Sequence, residues 1–135
     1  MGAKLDLKSI QCINIFSRVA NVRPNGCFTY NNTQVFIVKR GLLPKAIGEK
    51  GKNIHRLSAL LRTRVRVIAE ANVEEFVKEV VQPVKFKRFI KEDNKVTIIA
   101  GQQAKASLIG RNKVRLNELL EVLKQYYGVR ILKVI

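Results

Sequence analysis

An internal repeat constrains the fold of this chain more than any other feature. Two short runs, Gly48 to Gly51 and Gly110 to Lys113, interrupt helix-like stretches at matching places. Val35 precedes the first run by 13 residues and Val96 precedes the second by 14, and a strand-like run follows each turn. Two copies of a strand–helix–turn–helix–strand unit therefore explain 135 residues better than one domain does.

A helix and a β-hairpin are predicted at the start of the first copy. Apolar residues recur at helical spacing from Leu7 to Phe16, which predicts a helix from about Asp6 to Val19 with Asp6 as its N-cap. Two β-rich runs within residues 27–38 flank Asn31-Asn32, a pair that tolerates positive φ. The elements expected next are helices at Leu43–Ile47 and Lys52–Leu61, a strand at Arg64–Ile68 and an acidic helix at Glu70–Val81.

The second copy repeats this order after Pro83. We place the first domain, with its N-terminal helix, at residues 1–81 and the second domain at residues 82–135. Strands are predicted at Val84–Ile90 and Lys95–Ala100, helices at Gln103–Ile109 and at Val114–Tyr127 capped by Gly128, and a closing strand at Val129–Val134.

The charge of the chain indicates the kind of partner that it binds. Twenty-six Lys and Arg against ten Asp and Glu give a formal net charge of +16, while 47% hydrophobic residues are enough for a real core. Such a charge on a compact chain indicates a polyanionic partner, in practice nucleic acid. No apolar run approaches the roughly 18 residues of a membrane-spanning helix, and the N-terminus lacks an apolar signal core. We therefore expect a soluble cytoplasmic protein that does not bind membranes.

The run Ile47-Gly48-Glu49-Lys50-Gly51 is the best candidate for the nucleic-acid contact. Its glycines let the backbone turn sharply and approach a ligand without interference from a Cβ atom. The helix that follows points its free N–H groups and the positive end of its dipole at the turn, which attracts phosphate. From Lys39 to Arg66 there are nine Lys and Arg and a single acid, Glu49, so positive charge is concentrated around this turn.

The segment from Ala46 to Ile54 resembles the Ile-Gly-x-x-Gly-x-x-Ile signature of KH domains, whose loop clamps about four nucleotides of backbone. Two such units after a short helix and hairpin, over Asp6 to Val134, are similar to the short archaeal NusA proteins. The resemblance implies an α+β fold of two tandem type II (prokaryotic) KH domains, each a small three-stranded sheet with helices on one face. It also implies a non-enzymatic protein without cofactors that binds single-stranded RNA in transcription termination or antitermination, alongside RNA polymerase.

The two turns differ in how well they match this signature. Lys113 stands where the last glycine of the second turn would be, so we expect poorer backbone approach there, with Lys113 acting as a point charge. The residues predicted to bind RNA are Lys45, Ile47, Gly48, Glu49, Lys50, Gly51 and Lys52 around the first turn, and Gly110, Arg111, Asn112, Lys113 and Arg115 around the second.

Several other residues have simpler predicted roles. His55 is expected on the helix surface, and at least one of Tyr126 and Tyr127 in a core. Cys12 and Cys27 are expected to be small hydrophobes rather than a disulfide or zinc ligands. The apolar residues expected mainly in the core are Leu42, Leu43, Ile47, Ile54, Val65 and Val67, of which Ile47 and Val67 would also floor a nucleotide groove.

Three alternative functions follow from the same residues. Ala46 to Asn53 is a near miss for the phosphate-binding loop of NTPases, but Ala46 replaces its first glycine and Asn53 replaces its Ser or Thr. No acidic pair or Cys/His constellation accompanies it, so catalysis on a small-molecule substrate is disfavoured. A helix-turn-helix protein would place Lys52 to Leu61 in the major groove of duplex DNA, which fits a turn flanked by strands less well. A ribosome-associated KH module remains open, because it would share the clamp.

Overall fold

The structure is a computed structural model that describes residues 7–135, so the predicted N-cap at Asp6 lies outside the described residues. Contacts within the chain group the described residues up to Ala71 into one compact unit and those from Asn72 onward into another. The predicted boundary between residues 81 and 82 stays a prediction.

The first unit contains three helices and a three-stranded sheet. In the sheet, β2 lies between β1, which is antiparallel to it, and β3, which is parallel to it. The predicted hairpin turn is confirmed, since Asn31 and Asn32 have φ of 51° and 57°, a conformation that asparagine tolerates better than most residues. The elements are α1 (Leu7–Ala20), β1 (Gly26–Tyr30), β2 (Thr33–Val38), a 3-10 turn (Arg40–Leu42), α2 (Leu43–Ile47), a 3-10 turn (Glu49–Gly51), α3 (Lys52–Leu61) and β3 (Arg64–Ala69).

The core of the first unit joins α1, α3 and the sheet. The Phe16 and Phe36 rings lie 4.5 Å apart between centroids, and Leu57 of α3 is fully buried beside them. Cys12 and Cys27 are buried in the same cluster, which agrees with the prediction that they act as small hydrophobes.

Leu42, which was predicted to face this core, is exposed instead, and so is Leu60 of α3. Leu60 is 56% exposed and Leu42 is 36% exposed. Each residue of a helix turns by about 100°, so Leu60 lies roughly 100° around α3 from Leu61, which packs on the core. Leu42 ends the 3-10 turn before α2, where no helical stripe has begun.

The second unit repeats the topology of the first. Its sheet has the order β4-β5-β6, with β4 antiparallel and β6 parallel to the central strand. Its core includes Leu108, Leu119 and Leu123, and the rings of Phe76 and Tyr127 lie 5.1 Å apart, so Tyr127 packs as predicted. The elements are α4 (Val73–Val81), β4 (Arg88–Glu92), β5 (Lys95–Ile99), α5 (Gln102–Ile109), a 3-10 turn (Arg111–Lys113), α6 (Val114–Tyr127) and β6 (Ile131–Val134).

Three elements start two or more residues later than predicted, and β4 also ends two residues later, at Glu92 rather than Ile90. Helix α4 begins at Val73 rather than Glu70, because the Glu70 amide donates to the Val38 carbonyl at 2.8 Å and Asn72 caps the helix by accepting from the Glu75 amide. Strand β4 begins at Arg88 rather than Val84, because Arg88 pairs with Ile99, the last residue of β5. Strand β6 begins at Ile131, two residues after the predicted start.

Candidate nucleic-acid interface

The two predicted turns have the same backbone conformation. Gly48 has φ 81° and ψ 165°, and Gly110 has φ 74° and ψ 172°. Two residues further, Lys50 and Asn112 both occupy the left-handed region, at φ 53° and ψ 27° and at φ 56° and ψ 27°. The chain therefore builds one loop shape twice, each time between a short helix and a longer one.

The last loop position also has the same backbone conformation in both loops, although it is a glycine in the first loop and a lysine in the second. Gly51 has φ 73° and ψ 19°, and Lys113 has φ 61° and ψ 23°. Its amide donates to the carbonyl of the first glycine in both loops, at 3.1 Å to Gly48 and 3.2 Å to Gly110. The missing glycine thus does not change the loop shape, although a non-glycine residue in this region costs roughly 1–2 kcal/mol.

Steric contacts explain why the first glycine recurs and the last does not. A Cβ atom added to Gly48 would lie 2.9 Å from the Asn53 side chain, and one added to Gly110 would lie 2.8 Å from Arg115 Cγ. A Cβ added to Gly51 would meet only His55 Cε1, at 3.9 Å. The first position therefore requires glycine for both conformation and space, whereas the last has room for a side chain such as that of Lys113.

Asn53 ties the first loop together. Its side-chain Nδ2 donates to the carbonyl oxygens of Lys45 and Ala46, at 3.1 Å and 3.2 Å, and so links the second residue of α3 to the end of α2. This role was missed in the sequence, where Asn53 stood out only as a mismatch to a phosphate-binding loop. The signal that could have revealed this role is the position of Asn53, a polar side chain with donors near the start of the helix, two residues after Gly51.

Arg115 stands at the place of Asn53 in the second loop. Its guanidinium Nη1 lies 2.6 Å from Glu118 Oε1, and both side chains are largely buried, at 22% and 25% exposure. Arg115 is thus engaged with its own helix, while the other predicted cations of this loop project into solvent. Its predicted contact with RNA stays a prediction.

The charged residues of the two loops alternate in position. Lys50 and Lys52 are exposed in the first loop, and Arg111 and Lys113 are exposed in the second. Because Gly48 aligns with Gly110, these four cations occupy interleaved positions of one loop shape. The other exposed predicted residues are Lys45 and Glu49 in the first loop and Asn112 in the second.

Each loop leads into a helix that is long enough for its dipole to attract an anion at its N-terminus. Helix α3 has 10 residues and α6 has 14, and neither has an acidic residue in its first turn. The amide groups of the first turn of a helix lack partners within the helix and favour an anion. Helix ends and cations together make each loop suited to phosphate.

Apolar side chains adjoin the first loop. Ile47, at the end of α2, is partly buried, and Val67 of β3 is partly buried against the core of the first unit. His55 is exposed on α3, as predicted. The expected floor of the groove thus consists of side chains that are neither fully buried nor fully open.

The described residues contain few other features that indicate chemistry. Among residues 7–135 no three His, Cys, Asp or Glu side chains come close enough to hold a metal ion. Within the same range no helix is both long and apolar enough to cross a membrane.

Comparison with known proteins places this geometry in a family. A family model described as KH domain matches residues 13–85. The chain is 23% identical, over 98% of its length and 75% of the relative, to the probable transcription termination protein NusA of Methanocaldococcus jannaschii. The crystal structure of APE1850 superposes with a TM-score of 0.68 over 97% of this chain and all of that one, at 22% identity. The chain belongs to the KH-domain family.

Proposed function

We propose that this protein binds single-stranded RNA along two KH domains in tandem, each holding the RNA backbone with one glycine loop. The observation that carries the proposal is the repeated loop, which has the same backbone at Gly48 and at Gly110 and leads into a helix each time. Membership of the KH-domain family supports it, because KH loops clamp nucleotide backbone.

In the first domain, the loop from Gly48 to Gly51 lets the RNA backbone come close. Lys50 and Lys52 neutralise phosphates on either side of Gly51, and Lys45 adds a third charge from α2. Ile47 lies beside the loop, where it contacts the face of a base. Glu49 is the one acidic residue of the loop, and it turns towards solvent.

In the second domain, the charge of side chains contributes more to RNA binding than it does in the first domain. Arg111 and Lys113 reach phosphates from positions where the first loop has Glu49 and Gly51. Asn112 supplies hydrogen-bonding groups at the position of Lys50. Arg115 lies beside Gly110, and its contact with phosphate would be made by the guanidinium donors that Glu118 leaves free.

The biological role that we propose is transcription termination or antitermination, with RNA polymerase as a partner and nascent RNA as the ligand. It rests on the similarity to the probable transcription termination protein of Methanocaldococcus jannaschii, over 98% of this chain. The mechanism needs neither a catalytic step nor a cofactor, because holding the transcript is a binding activity. An in vitro transcription reaction with and without the protein would test it through the fraction of terminated transcripts.

The binding proposal is tested by titrating random single-stranded RNA, single-stranded DNA and duplex DNA at several salt concentrations. We expect single-stranded RNA to bind best. If about four to six phosphates are neutralised, the slope of log affinity against log salt should be roughly −3 to −4. A slope near zero, or a preference for duplex DNA, would contradict the proposal.

Two matched glycine variants test whether RNA binds at the first loop. Gly51→Asp places a negative charge in the loop where a Cβ has room, and we expect an affinity loss of about tenfold or more. Gly41→Asp is the control, because it adds the same charge at an exposed position with nothing within 4 Å. Equal affinities in the two folded variants would show that the loop does not hold RNA.

A further inference from the structure

The two sheets differ in the accessibility of one face. In the first sheet this face carries Val35, Ile37 and Ile68, which are at most 6% exposed. In the second sheet, the residues at the corresponding register positions are exposed on the two outer strands, apart from the partly exposed Ile90, and partly exposed on β5. The two sheets share their topology, so the difference belongs to their side chains and surroundings.

Four isoleucines occupy this open face of the second sheet. Ile131 and Ile135 are 51% and 46% exposed, and Ile90 and Ile99 are partly exposed. Three of them lie together: Ile135 is next to Ile99, because its amide and carbonyl bond to Ile98 and Ala100, and Ile90 is diagonally across from Ile99 on β4. Ile131 pairs with Lys95 at the other end of the face. Single exposed apolar residues are ordinary, but a contiguous group of this kind marks an interaction surface.

Three cations are interleaved with the isoleucines. Arg88, Lys95 and Lys133 lie on the same face, one on each strand, against a single acid, Glu92. The ion pairs found within residues 7–135 do not involve any of these three cations. We call this set of four isoleucines and three cations the isoleucine face.

We propose that the isoleucine face is a docking site for an acidic amphipathic helix of a partner protein. The apolar side of such a helix would cover the isoleucines, and its carboxylates would pair with the three cations. Strands lie about 4.8 Å apart, so three strands present a width of roughly 10 Å, which matches the diameter of a helix. This inference does not rest on the proposed binding of RNA.

Two other occupants fit the face less well. Single-stranded RNA gains much of its base-binding energy from aromatic stacking, and the face carries no aromatic side chain at its paired positions. A second copy of the chain would set the same cations against each other in a molecule whose formal net charge is already +16. Charge complementarity therefore favours an acidic protein segment.

The test uses a fluorescein-labelled synthetic peptide with leucines on one face of a helix and glutamates on the other. A scrambled peptide of the same composition controls for non-specific attraction to a basic protein. We expect the amphipathic peptide to bind about tenfold more tightly than the scrambled one, by fluorescence anisotropy. Equal affinities, or no binding at millimolar peptide, would overturn the proposal.

Variants locate the binding site. Ile131→Gln and Lys133→Gln should each weaken the amphipathic peptide by several-fold to about tenfold. Leu60→Gln and Lys124→Gln are the matched controls, because Leu60 is exposed on α3 of the first unit and Lys124 is exposed on α6, so neither belongs to this sheet. An effect of the control variants equal to that of the face variants would overturn the proposal.

Two further readouts separate the other occupants and the proposed function. Saturating single-stranded RNA should leave the peptide bound; displacement, or loss of RNA affinity in Ile131→Gln, would assign the face to RNA instead. Sedimentation of the protein alone should show no dimer that Ile131→Gln dissociates; such a dimer would assign the face to a second copy. RNA affinity is measured on the same samples, so failure of RNA binding is seen independently of failure here.

Discussion

The two glycine loops share a backbone shape but reach it with different residues. Gly48 and Gly110 are identical because a side chain at this position would collide with the helix that follows, within 2.9 Å. Gly51 and Lys113 differ, yet both have positive φ and the same hydrogen bond to the first glycine. The comparison teaches that the first glycine fixes the loop, whereas the last can be exchanged for charge.

The largest expected difference between loop positions concerns stability. Gly48→Ala and Gly110→Ala put a Cβ into a backbone region that is nearly exclusive to glycine and into contact with Asn53 or Arg115. We expect each to lower the free energy of unfolding by about 3 kcal/mol, from strain and overpacking together. Denaturant unfolding monitored by circular dichroism measures this.

Two other glycines are the references for this experiment. Gly51→Ala has positive φ but room for a Cβ, so its cost should be about 1 kcal/mol. Gly41→Ala has neither constraint and should change stability little. If Gly48→Ala were no worse than Gly51→Ala, the distinction between the two loop positions would be wrong.

A smaller effect is expected at Asn53, the residue that closes the first loop. Asn53→Ala removes two hydrogen bonds to α2 and should cost about 1–2 kcal/mol of unfolding free energy. It should also reduce the loss of unfolding free energy caused by Gly48→Ala, because it removes the side chain with which that Cβ collides. A double-mutant cycle measures the coupling, and strict additivity would show that the two residues do not constrain each other.

The smallest expected effect concerns the exchange of charge for glycine. Lys113→Gly should relieve the strain at φ 61° and stabilise the protein by about 0.5–1 kcal/mol, after the entropic cost of glycine. The same change removes one phosphate contact, so the salt slope for single-stranded RNA should become shallower by about 0.7. Unfolding and RNA titration of one sample give both numbers, and an unchanged slope would mean that Lys113 does not contact phosphate.

Local signals in the sequence predicted the elements around the loops well. Helix α3 at Lys52–Leu61 and helix α6 at Val114–Tyr127 have the predicted bounds, because glycines and periodic apolar residues delimit them. The hairpin at Asn31-Asn32 was equally accessible, since asparagine readily adopts positive φ.

Features that depend on distant partners could not be predicted in the same way. The start of β4 is set by the last residue of β5, and Glu70 is kept out of α4 by its hydrogen bond to Val38. The shared shape of the two loops could not be predicted either, because the pattern of glycines does not reveal that space is open at the last position. The carbonyl contacts of Asn53 depend on the path of α2, which no local pattern gives.

The central claim is that both loops hold the RNA backbone, and amide chemical shifts test it most directly. A single-stranded RNA is titrated into the uniformly ¹⁵N-labelled protein, and the amide signals of Gly48, Gly51, Gly110 and Lys113 are followed. The account predicts that the signals of both loops move together as the RNA binds. Movement confined to the first loop would contradict the tandem clamp, and shifts that spare both loops would contradict the glycine-loop mechanism altogether.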